Sequence, residues 1–381
     1  MKAKNKTILV RKMMRQHANN DKISFKRSIL PFYWISMQTL INKFLLLIIS
    51  LISSQVLHAQ TPEVQVLTSG TPTSLRGLCV VNDNVIWVSG SHGTVGKSLN
   101  SGKKWNWMTV KGFENKEFRD IEAFDANTAI IMAVDSPAYI LKTTDGGVTW
   151  KIVYENKTKG MFLDAIDFCD ASNGIVVGDP VNGKAFLAYT SDNGNTWNEF
   201  PDEKRPRVDS GEAFFAASGS NIRLFRDGDH YIVSGGSKSR LITGSGAVKL
   251  PVIQGKETTG ANSIDIYDNG NPRKAGKKMV VVGGDFLEPA SAVKNCFFTI
   301  NGGKTWKIPN TPPHGYRSCV EYLSPKDIIA CGINGVDYSS DGGRNWKWIS
   351  REGFHVCRIA RNGSAFFLAG ENGKIAKVSL E

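Results

Sequence analysis

The sequence predicts an all-β fold, a seven-bladed β-propeller, and the prediction starts from five short segments that repeat one pattern. In each segment a hydroxyl residue is followed by Asp or Asn, then by Gly, and finally by Trp. Five of the nine Trp residues of the chain occupy the last position of the pattern. The segments, called boxes below, are SLNSGKKW at 98–105, TTDGGVTW at 143–150, TSDNGNTW at 190–197, TINGGKTW at 299–306 and SSDGGRNW at 339–346.

The spacing of the boxes is the second observation. Their acidic or amide positions lie 45, 47, 109 and 40 residues apart along the chain. The 109-residue interval spans about two periods, which indicates that one copy has lost the pattern. Repeats of roughly 40 to 50 residues with several strands each are typical of propeller blades. The positions are Asn100, Asp145, Asp192, Asn301 and Asp341.

Each position of the box has a structural role. Gly allows the positive φ of a tight hairpin turn, and the preceding Asp or Asn accepts hydrogen bonds from amides of that turn. The Trp opens the next strand and offers an apolar face for burial between neighbouring sheets. We therefore expect no catalysis from the boxes. Their tryptophans are Trp105, Trp150, Trp197, Trp306 and Trp346.

Alternating apolar residues and β-branched content predict four strands in the second unit, with the box on the turn between the third and the fourth. These strands cover 118–124, 128–134, 138–144 and 149–154. The same layout fits five further units. They are 75–110, 161–200, 211–252, 262–308 and 315–349, of which 211–252 has no box and carries GSGAVKL at the eroded turn.

The last unit, 353–381, supplies only three strands. We expect residues 62–69, PEVQVLTS, to provide the fourth, because strands from both chain ends would close the ring and leave no exposed edge. This gives seven blades in one domain over residues 60–381. Six blades with a terminal extension is the alternative.

The N-terminal residues have the composition of a leader. Residues 1–36 carry nine basic side chains and one acid, and we interpret them as a disordered or mistakenly included extension. Residues 37–59 combine Lys43 with a short apolar core and predict a signal peptide cleaved after Ala59. The protein is then exported, to the periplasm or outside the cell. A retained membrane anchor with a basic cytoplasmic tail is the alternative.

The net charge of +12 follows mostly from this leader. Residues 60–381 contain 37 Lys or Arg and 34 Asp or Glu, a net charge of +3. The basic composition is therefore no indication of nucleic-acid binding.

The six cysteines show neither a Cys-x-x-Cys redox motif nor the spacing of a zinc site. Most lie in apolar strands, where small buried thiols are common. Cys319 and Cys331 lie on two strands of one predicted hairpin and are the plausible disulfide partners. The motifs indicate no metal and no cofactor.

Candidate functional residues lie on the face opposite the boxes, called the upper face below. Loops that enter the inner strands carry arginines that we expect to converge at the channel mouth. Paired guanidinium groups suit a carboxylate or phosphate of a partner. The alternative is an ion network of these arginines with Asp120, Asp179 and Glu212. The candidate ligand-binding residues are Arg76, Arg119, Arg317 and His355.

Four carboxylates on the same face are candidates for glycosidase chemistry by placement alone. A glycosidase needs two carboxylates on either side of the scissile bond. The four are Asp164, Asp179, Glu212 and Asp285.

The boxes resemble the Asp-box, or BNR, repeat of sialidases, sortilin-like receptors and photosystem II stability and assembly factors, in which the box lies opposite the functional face. From about residue 75 to 378 the chain resembles the photosystem II stability/assembly factor-like group of bacterial propellers. The segments that carry this resemblance are SLRGLCVV, VSGSHGTV, FRDIEAFDA, FLDAIDF, GDPVNG, GEAFFAAS and HGYRSCVEYL.

The resemblance implies a function in holding a protein. Photosynthetic members hold a precursor subunit through an Arg-rich face, a part that Arg76, Arg119 and Arg317 would play here. Other bacterial members are often labelled oxidoreductase or glycosyl hydrolase. Sialidase chemistry is disfavoured, because the Arg-Ile-Pro motif of those enzymes is missing from the sequence.

We therefore expect an exported, monomeric, non-enzymatic propeller that binds a protein or a glycan on its upper face, in the manner of an assembly factor. Contact with the membrane is expected only through the signal peptide. The alternative is a glycoside hydrolase of the Asp-box type, and a flavin or nicotinamide oxidoreductase is a third.

Overall fold

The computed structural model describes residues 42–43, 62–268 and 276–379. The predicted extension at 1–36 and nearly all of the predicted signal peptide at 37–59 lie outside these residues. In the part of the chain that is described, no helix has the length and apolar character needed to cross a membrane.

The described residues form seven antiparallel sheets, called blades 1 to 7 below, and the seven-bladed propeller predicted from the sequence is confirmed. One strand, β1 (Glu63–Thr68), precedes blade 1 in the chain. Blades 1 to 3 each run through four consecutive strands. These are β2 (Leu75–Val80), β3 (Ile86–Gly90), β4 (Thr94–Ser98) and β5 (Asn106–Thr109); β6 (Phe118–Ala123), β7 (Ala129–Ala133), β8 (Ala138–Thr143) and β9 (Lys151–Asn156); and β10 (Leu163–Phe168), β11 (Gly174–Val181), β12 (Lys184–Thr190) and β13 (Asn198–Glu199).

In the middle of the chain, two short strands that alternate in sequence with the strands of blade 4 join the sheet of blade 5. The strands of this region are β14 (Glu212–Ala213), β15 (Ile222–Leu224), β16 (His230–Val233), β17 (Gly235–Gly236), β18 (Arg240–Thr243), β19 (Gly246–Lys249), β20 (Thr259–Tyr267), β21 (Lys278–Asp285) and β22 (Cys296–Thr299). Blade 4 is ordered β15-β16-β18-β19, whereas β14 and β17 extend the sheet of blade 5 in the order β14-β17-β20-β21-β22.

Blades 6 and 7 complete the ring. Their strands are β23 (Cys319–Tyr322), β24 (Ile328–Gly332), β25 (Gly335–Ser339) and β26 (Lys347–Ser350), followed by β27 (Val356–Ile359), β28 (Phe366–Ala369) and β29 (Ile375–Ser379). Short 3-10 turns cover Asp202–Lys204 and Glu371–Gly373.

Blade 7 is closed by the two ends of the chain, as predicted. Strand β1 pairs with β29 in antiparallel register from Glu63 opposite Ser379 to Thr68 opposite Ile375. Val64 and Leu67 of this strand pack against a buried cluster that unites blades 1, 6 and 7. The N-terminal strand therefore satisfies the backbone edge of β29 and covers the apolar seam where the ring closes.

Blade 4 differs from the prediction that residues 211–252 form an ordinary unit. Its inner strand is β15, which begins about ten residues later than predicted. Residues 214–221 intervene and do not form a strand. The eroded box turn is placed correctly, because β18 and β19 form a tight hairpin in which Thr243 pairs with Gly246.

The five boxes form turns with one shared hydrogen-bond network. In the second box Thr143 Oγ1 donates to Asp145 Oδ1 at 2.8 Å, and the Gly147 amide donates to Thr143 Oγ1 at 3.0 Å. The Thr149 amide donates to Asp145 Oδ1 at 2.9 Å. These hydrogen bonds, above all those from Thr149, lower the pKa of Asp145 to about 2. Equivalent bonds centre on Asn100, Asp192, Asn301 and Asp341.

The box tryptophans are buried to different degrees. Trp197 and Trp346 are buried, and the other three are half-buried. Trp105 Nε1 donates to Gly102 O at 3.0 Å, and Trp346 Nε1 donates to Gly343 O at 3.2 Å. Each of these two indoles therefore also stabilises the turn of its own box. The network and this burial agree with the structural role predicted for the boxes.

A charge on the inner side of β1 tests the closure of the ring. Val64 is half-buried against the blade 7 core, so we expect Val64→Asp to lower the free energy of unfolding by about 1–3 kcal/mol, the cost of desolvating a carboxylate without a partner. Urea denaturation measures the change. Val66 is 44% exposed in the same strand, and Val66→Asp is the control with an expected change within about 0.5 kcal/mol. Equal effects of the two variants would contradict the closure.

Candidate functional site

The two ends of the propeller are defined by strand direction. Successive strands of a blade are antiparallel, so the start of an inner strand and the turn between the third and fourth strands lie at opposite ends. The boxes occupy that turn in blades 1, 2 and 3. The upper face, where the inner strands start, is therefore opposite the boxes, as predicted.

β-Bulges near the start of four inner strands direct one residue of each toward the channel. The register shifts between Leu75 and Gly77, and equivalent shifts occur in β6, β10 and β20. A bulge leaves one residue without a partner in the ladder and re-aims its side chain. The bulged residues are Arg76, Arg119, Asp164 and Asn262.

The upper end of the channel contains a cavity of about 420 Å³. Polar and apolar residues both line it, and they are in contact: the Arg119 guanidinium lies 5.8 Å from the centre of the Phe162 ring. The polar lining residues are Arg76, Arg119, Asn262, Ser318 and His355, and the apolar ones are Phe162, Phe214, Phe215, Ala216, Ala217, Phe286, Tyr316 and Ile333. None of these is a carboxylate.

Arg76 and Arg119 give the cavity a positive potential. Burial, followed by the charge of Arg119, lowers the pKa of Arg76. Arg76 Nη1 donates to the backbone oxygen of Ala217 at 3.2 Å. Arg119 has an ion pair of 3.5 Å with Glu117, and its buried Nε atom has no hydrogen-bond partner in the described residues. The two guanidinium groups therefore repel each other and retain unused donor capacity.

His355 lies beside the arginines with its ring mostly buried. Burial is the main cause that lowers its pKa to about 4, and the charge of Arg76 adds to it. The imidazole is therefore neutral at pH 7. Nε2 lies 3.3 Å from Ser74 Oγ and 3.3 Å from Glu371 Oε2, while Nδ1 is buried without a hydrogen-bond partner among the described residues.

The floor of the cavity is residues 214–221, called the channel segment below. Five blades hold it through side chains. The Phe214 amide donates to Asp179 Oδ1 at 3.0 Å, and Ser218 Oγ donates to Ser318 O at 2.7 Å. Arg358 Nη2 donates to Ser218 O at 2.9 Å. The channel segment therefore crosses the axis and separates the upper cavity from the lower part of the channel.

Gly219 is required where the channel segment passes blade 2. Its φ is +60°, and an added Cβ atom would lie 2.2 Å from the carboxyl carbon of Asp120. A side chain would therefore displace Asp120, whose Oδ2 accepts a hydrogen bond from the Ile166 amide at 2.7 Å. Burial raises the pKa of Asp120 to about 7.

Arg317 does not join Arg76 and Arg119, which corrects the prediction that three arginines converge. Its side chain is wholly buried and pairs with Asp337, with Nε donating to Asp337 Oδ2 at 2.7 Å. Nη1 donates to Asn334 Oδ1 at 2.6 Å. The neighbouring Ser318 faces the cavity instead. A shift of one residue along a strand reverses the direction of the side chain, and Arg317 lies one position before the channel-facing one.

Asp164 is a channel-side residue that the structure buries completely. Both of its carboxyl oxygens are inaccessible and lack a hydrogen-bond partner within the described residues. Burial, followed by repulsion from Asp179, raises the pKa of Asp164 well above its usual range. Burial also raises the pKa of Asp179. The folded protein therefore favours the protonated form of Asp164 more than an exposed carboxyl would.

The other two candidate carboxylates are engaged in structural contacts. Glu212 accepts hydrogen bonds from Arg240 Nε at 2.8 Å and Nη2 at 2.6 Å. Its arginine partner is Arg240 and none of the three arginines that the alternative ion network assigned to it, so that alternative is wrong for Glu212. Asp285 accepts from the Leu287 amide at 3.1 Å and lies 3.6 Å from Lys256 Nζ. None of the four glycosidase candidates lines the upper cavity.

Below the channel segment the inner strands form a ring of ions. Arg223 Nε donates to Asp265 Oδ1 at 3.0 Å, and its Nη2 donates to Glu321 Oε2 at 3.4 Å. Burial, followed by the charge of Asp265, raises the pKa of Glu321 to about 8. Arg361 pairs with Glu122 on the same side. This ring lines a second cavity of about 180 Å³ whose acids and bases face one another.

Sequence reasoning missed the aromatic wall and the channel segment. Phe214 and Phe215 belong to GEAFFAAS, in which two adjacent aromatics precede a run of small residues, a pattern unlike the start of the other inner strands. This difference from the other inner strands was the sequence feature that could have indicated the channel segment. Across the ranges described, no group of three or more His, Cys, Asp or Glu residues is arranged to hold a metal ion.

The solved structures to which this chain is similar are β-propellers. A structure described as YCF48 bound to D1 peptide matches 84% of this chain and 95% of its own, with 15% identity and a TM-score of 0.56. YCF48 from Cyanidioschyzon merolae matches 83% and 98%, with 15% identity and a TM-score of 0.58. These likenesses support the fold.

A third solved structure, the WD40 β-propeller domain of Doa1, matches 84% of this chain and 98% of its own, with 12% identity and a TM-score of 0.56. No family model matches the sequence. No curated protein matches it either.

The buried pair of Arg317 and Asp337 predicts a stability effect that the cavity arginines do not share. Arg317→Leu removes the guanidinium partner of Asp337 and leaves its carboxylate with the amide and ring of His314, so we expect a loss of roughly 3–5 kcal/mol in the free energy of unfolding. The double variant Arg317→Leu, Asp337→Asn is expected to recover part of the loss. Urea denaturation compares both with Arg119→Leu at the cavity, and an equal loss in Arg119→Leu would contradict this assignment.

Asp164 predicts a dependence of stability on pH. A carboxyl whose pKa is raised on folding stabilises fully below its unfolded pKa of 3.8, and this contribution is lost as the pH rises through the folded pKa. Asp164→Asn should therefore become more stable relative to the unmodified protein as the pH rises from about 4. Urea titrations at several pH values measure the difference. The exposed Glu203, changed to Gln, is the control, and a pH-independent difference for Asp164→Asn would contradict the prediction.

Proposed function

We propose that the protein binds a segment of a partner protein in the upper cavity, through a carboxylate that Arg76 and Arg119 hold. One observation carries the proposal: two arginines line a cavity that has no carboxylate among its lining residues. Burial, followed by the charge of Arg119, lowers the pKa of Arg76. An anionic ligand group would offset the repulsion between the two guanidinium groups and accept hydrogen bonds from them.

The apolar side of the cavity supports a peptide in preference to a bare anion. Phe214, Phe215 and Phe286 line the same cavity as the arginines. At the rim, Phe286, Leu287 and Ile333 are 36%, 69% and 45% exposed. Aromatic and apolar side chains in a concave site favour an apolar ligand group. The site therefore suits a chain with a carboxylate beside an apolar side chain.

The similar structure of YCF48 bound to D1 peptide adds support, because a protein of similar fold binds a peptide. By the sequence resemblance, the function here would be that of an assembly factor that holds a protein. We also propose that the signal peptide at 37–59 exports the chain to the periplasm or beyond, where the partner would be met as a monomeric propeller.

Binding of synthetic peptides tests the proposal. We expect peptides with a free C-terminal carboxylate after an apolar residue to bind, measured by fluorescence anisotropy, and their amidated forms to bind at least about tenfold more weakly. Arg119→Gln and Arg76→Gln should each weaken binding about tenfold or more, since truncating one partner of a buried charge pair costs roughly 2–5 kcal/mol.

The control is Arg226→Gln, because Arg226 is exposed and lies outside the cavity lining. Its affinity should equal that of the unmodified protein. Equal binding of amidated and free peptides, or full binding by Arg119→Gln, would reject the carboxylate site. Binding of oligosaccharides that both arginine variants abolish would reassign the cavity to a glycan.

A further inference from the structure

Three buried cysteines meet on the first two strands of blade 6 and the inner strand of blade 7. Cys319 lies on β23, Cys331 on β24 and Cys357 on β27, and all three are fully buried free thiols. Cys319 and Cys331 are direct partners across the antiparallel pair. Directly opposed residues have Cα atoms about 4.5–5.5 Å apart, which is inside the range that a disulfide spans. The pair can therefore be bridged with little movement of the backbone.

Cys319 differs from the other two cysteines in its contacts. Arg358 Nη1 donates to Cys319 Sγ at 3.0 Å, and Ser220 Oγ of the channel segment donates to it at 3.6 Å. In its thiol form Cys319 donates to Cys357 O at 3.5 Å. A guanidinium in contact with sulfur favours the thiolate, which is the nucleophilic form.

The pKa values follow these contacts. Burial raises the pKa of Cys319, but hydrogen bonds from Cys331 and Cys357 and the charge of Arg358 outweigh it and leave the pKa well below its usual range. Burial raises the pKa of Cys331 and of Cys357. Cys319 is therefore the nucleophile of the three, and its neighbours remain thiols.

We propose that Cys319 and Cys331 form a peroxide-reactive site in which Cys319 is oxidised first and Cys331 then closes a disulfide. Cys331 is the resolving residue because it lies opposite Cys319 on the same hairpin, whereas Cys357 belongs to the neighbouring blade. Cys319 itself does not line the lower cavity, but Arg358 lines it and contacts the Cys319 sulfur, so a small oxidant would have to approach along this side chain.

The chemistry requires a hydroperoxide and no other reactant. The Cys319 thiolate attacks one oxygen of hydrogen peroxide, an S–O bond forms, the O–O bond breaks, and hydroxide leaves. The Cys331 sulfur then attacks the sulfur of this sulfenic acid. The S–S bond forms, the S–O bond breaks, and hydroxide leaves with the Cys331 proton as water. Two sulfur atoms lose two electrons in total, and the peroxide gains them.

The site is connected to the floor of the upper cavity. The same Arg358 that contacts Cys319 donates through Nη2 to Ser218 O at 2.9 Å and to Gly219 O at 3.2 Å. Oxidation removes the thiolate charge that Arg358 faces. The modification would therefore act on a residue that holds the channel segment.

The experiment uses the full chain with Cys169→Ala, because Cys169 is only half-buried and would form bonds between molecules. The reduced protein is treated with limiting hydrogen peroxide, and the remaining thiols are alkylated after unfolding. Trypsin places the three cysteines on separate peptides, 318–326, 327–344 and 352–358. We expect a disulfide-linked pair of 318–326 with 327–344, which dithiothreitol separates.

Single variants assign the roles. Cys331→Ser should stop at a sulfenic acid on Cys319 that dimedone traps, and Cys319→Ser should give neither product. Cys357→Ser should still form the disulfide. Circular dichroism checks that each variant is folded. If a variant is not folded, the disulfide-linked peptides from the parent protein decide the test. A link to 352–358, oxidation of other cysteines first, or no reaction of Cys319 would overturn the proposal.

Discussion

Crowding at the propeller axis is the constraint on which the arrangement of both cavities depends. Seven inner strands bring their side chains to one narrow channel, and polar groups there must find partners because little water can enter. The channel segment supplies many of these partners. Its carbonyl oxygens accept from Arg76 at Ala217 and from Arg358 at Ser218, and its Gly219 leaves room for Asp120. The protein therefore has two separate cavities, whereas a propeller without the channel segment would have one continuous channel.

Local chemistry explains why much of the fold could be predicted from the sequence. The box turns depend on residues within eight positions of one another. The hydrogen bonds among Thr143, Asp145 and Gly147 could therefore be predicted from the local sequence alone. The pairing of β1 with β29 could also be predicted, although these strands are distant, because three strands at the C-terminus left one place empty in a closed ring. The predicted signal peptide lies almost entirely in residues that the structure does not describe, and it stays a prediction.

The candidate site was predictable only in part. Whether a side chain points into the channel changes with a shift of one residue along the strand, and the sequence does not fix the register that closely. Arg76, Arg119 and His355 were placed correctly at the cavity. Arg317 was not, because it fills the position that Leu75 and Phe118 fill in blades 1 and 2, facing the interior between sheets. An arginine is tolerated there because Asp337 pairs with it. The channel segment was also missed. It occupies the place where the unit without a box was expected to begin its inner strand, and the repeat pattern could not indicate there which residues form the strand.

The two cavities show how the same residue types acquire different roles from their surroundings. Below the channel segment, Arg223, Arg358 and Arg361 face Asp265, Glu321 and Glu122, so each charge is compensated within the protein. Buried charges that are paired and hydrogen-bonded have little left to offer a ligand. Above it, Arg76 and Arg119 face aromatic rings and a neutral His355. No carboxylate lines this cavity, and Arg119 has an ion pair of 3.5 Å with Glu117, so the two charges are less compensated than those below. This difference is the physical reason for proposing the upper cavity as the one that binds a partner.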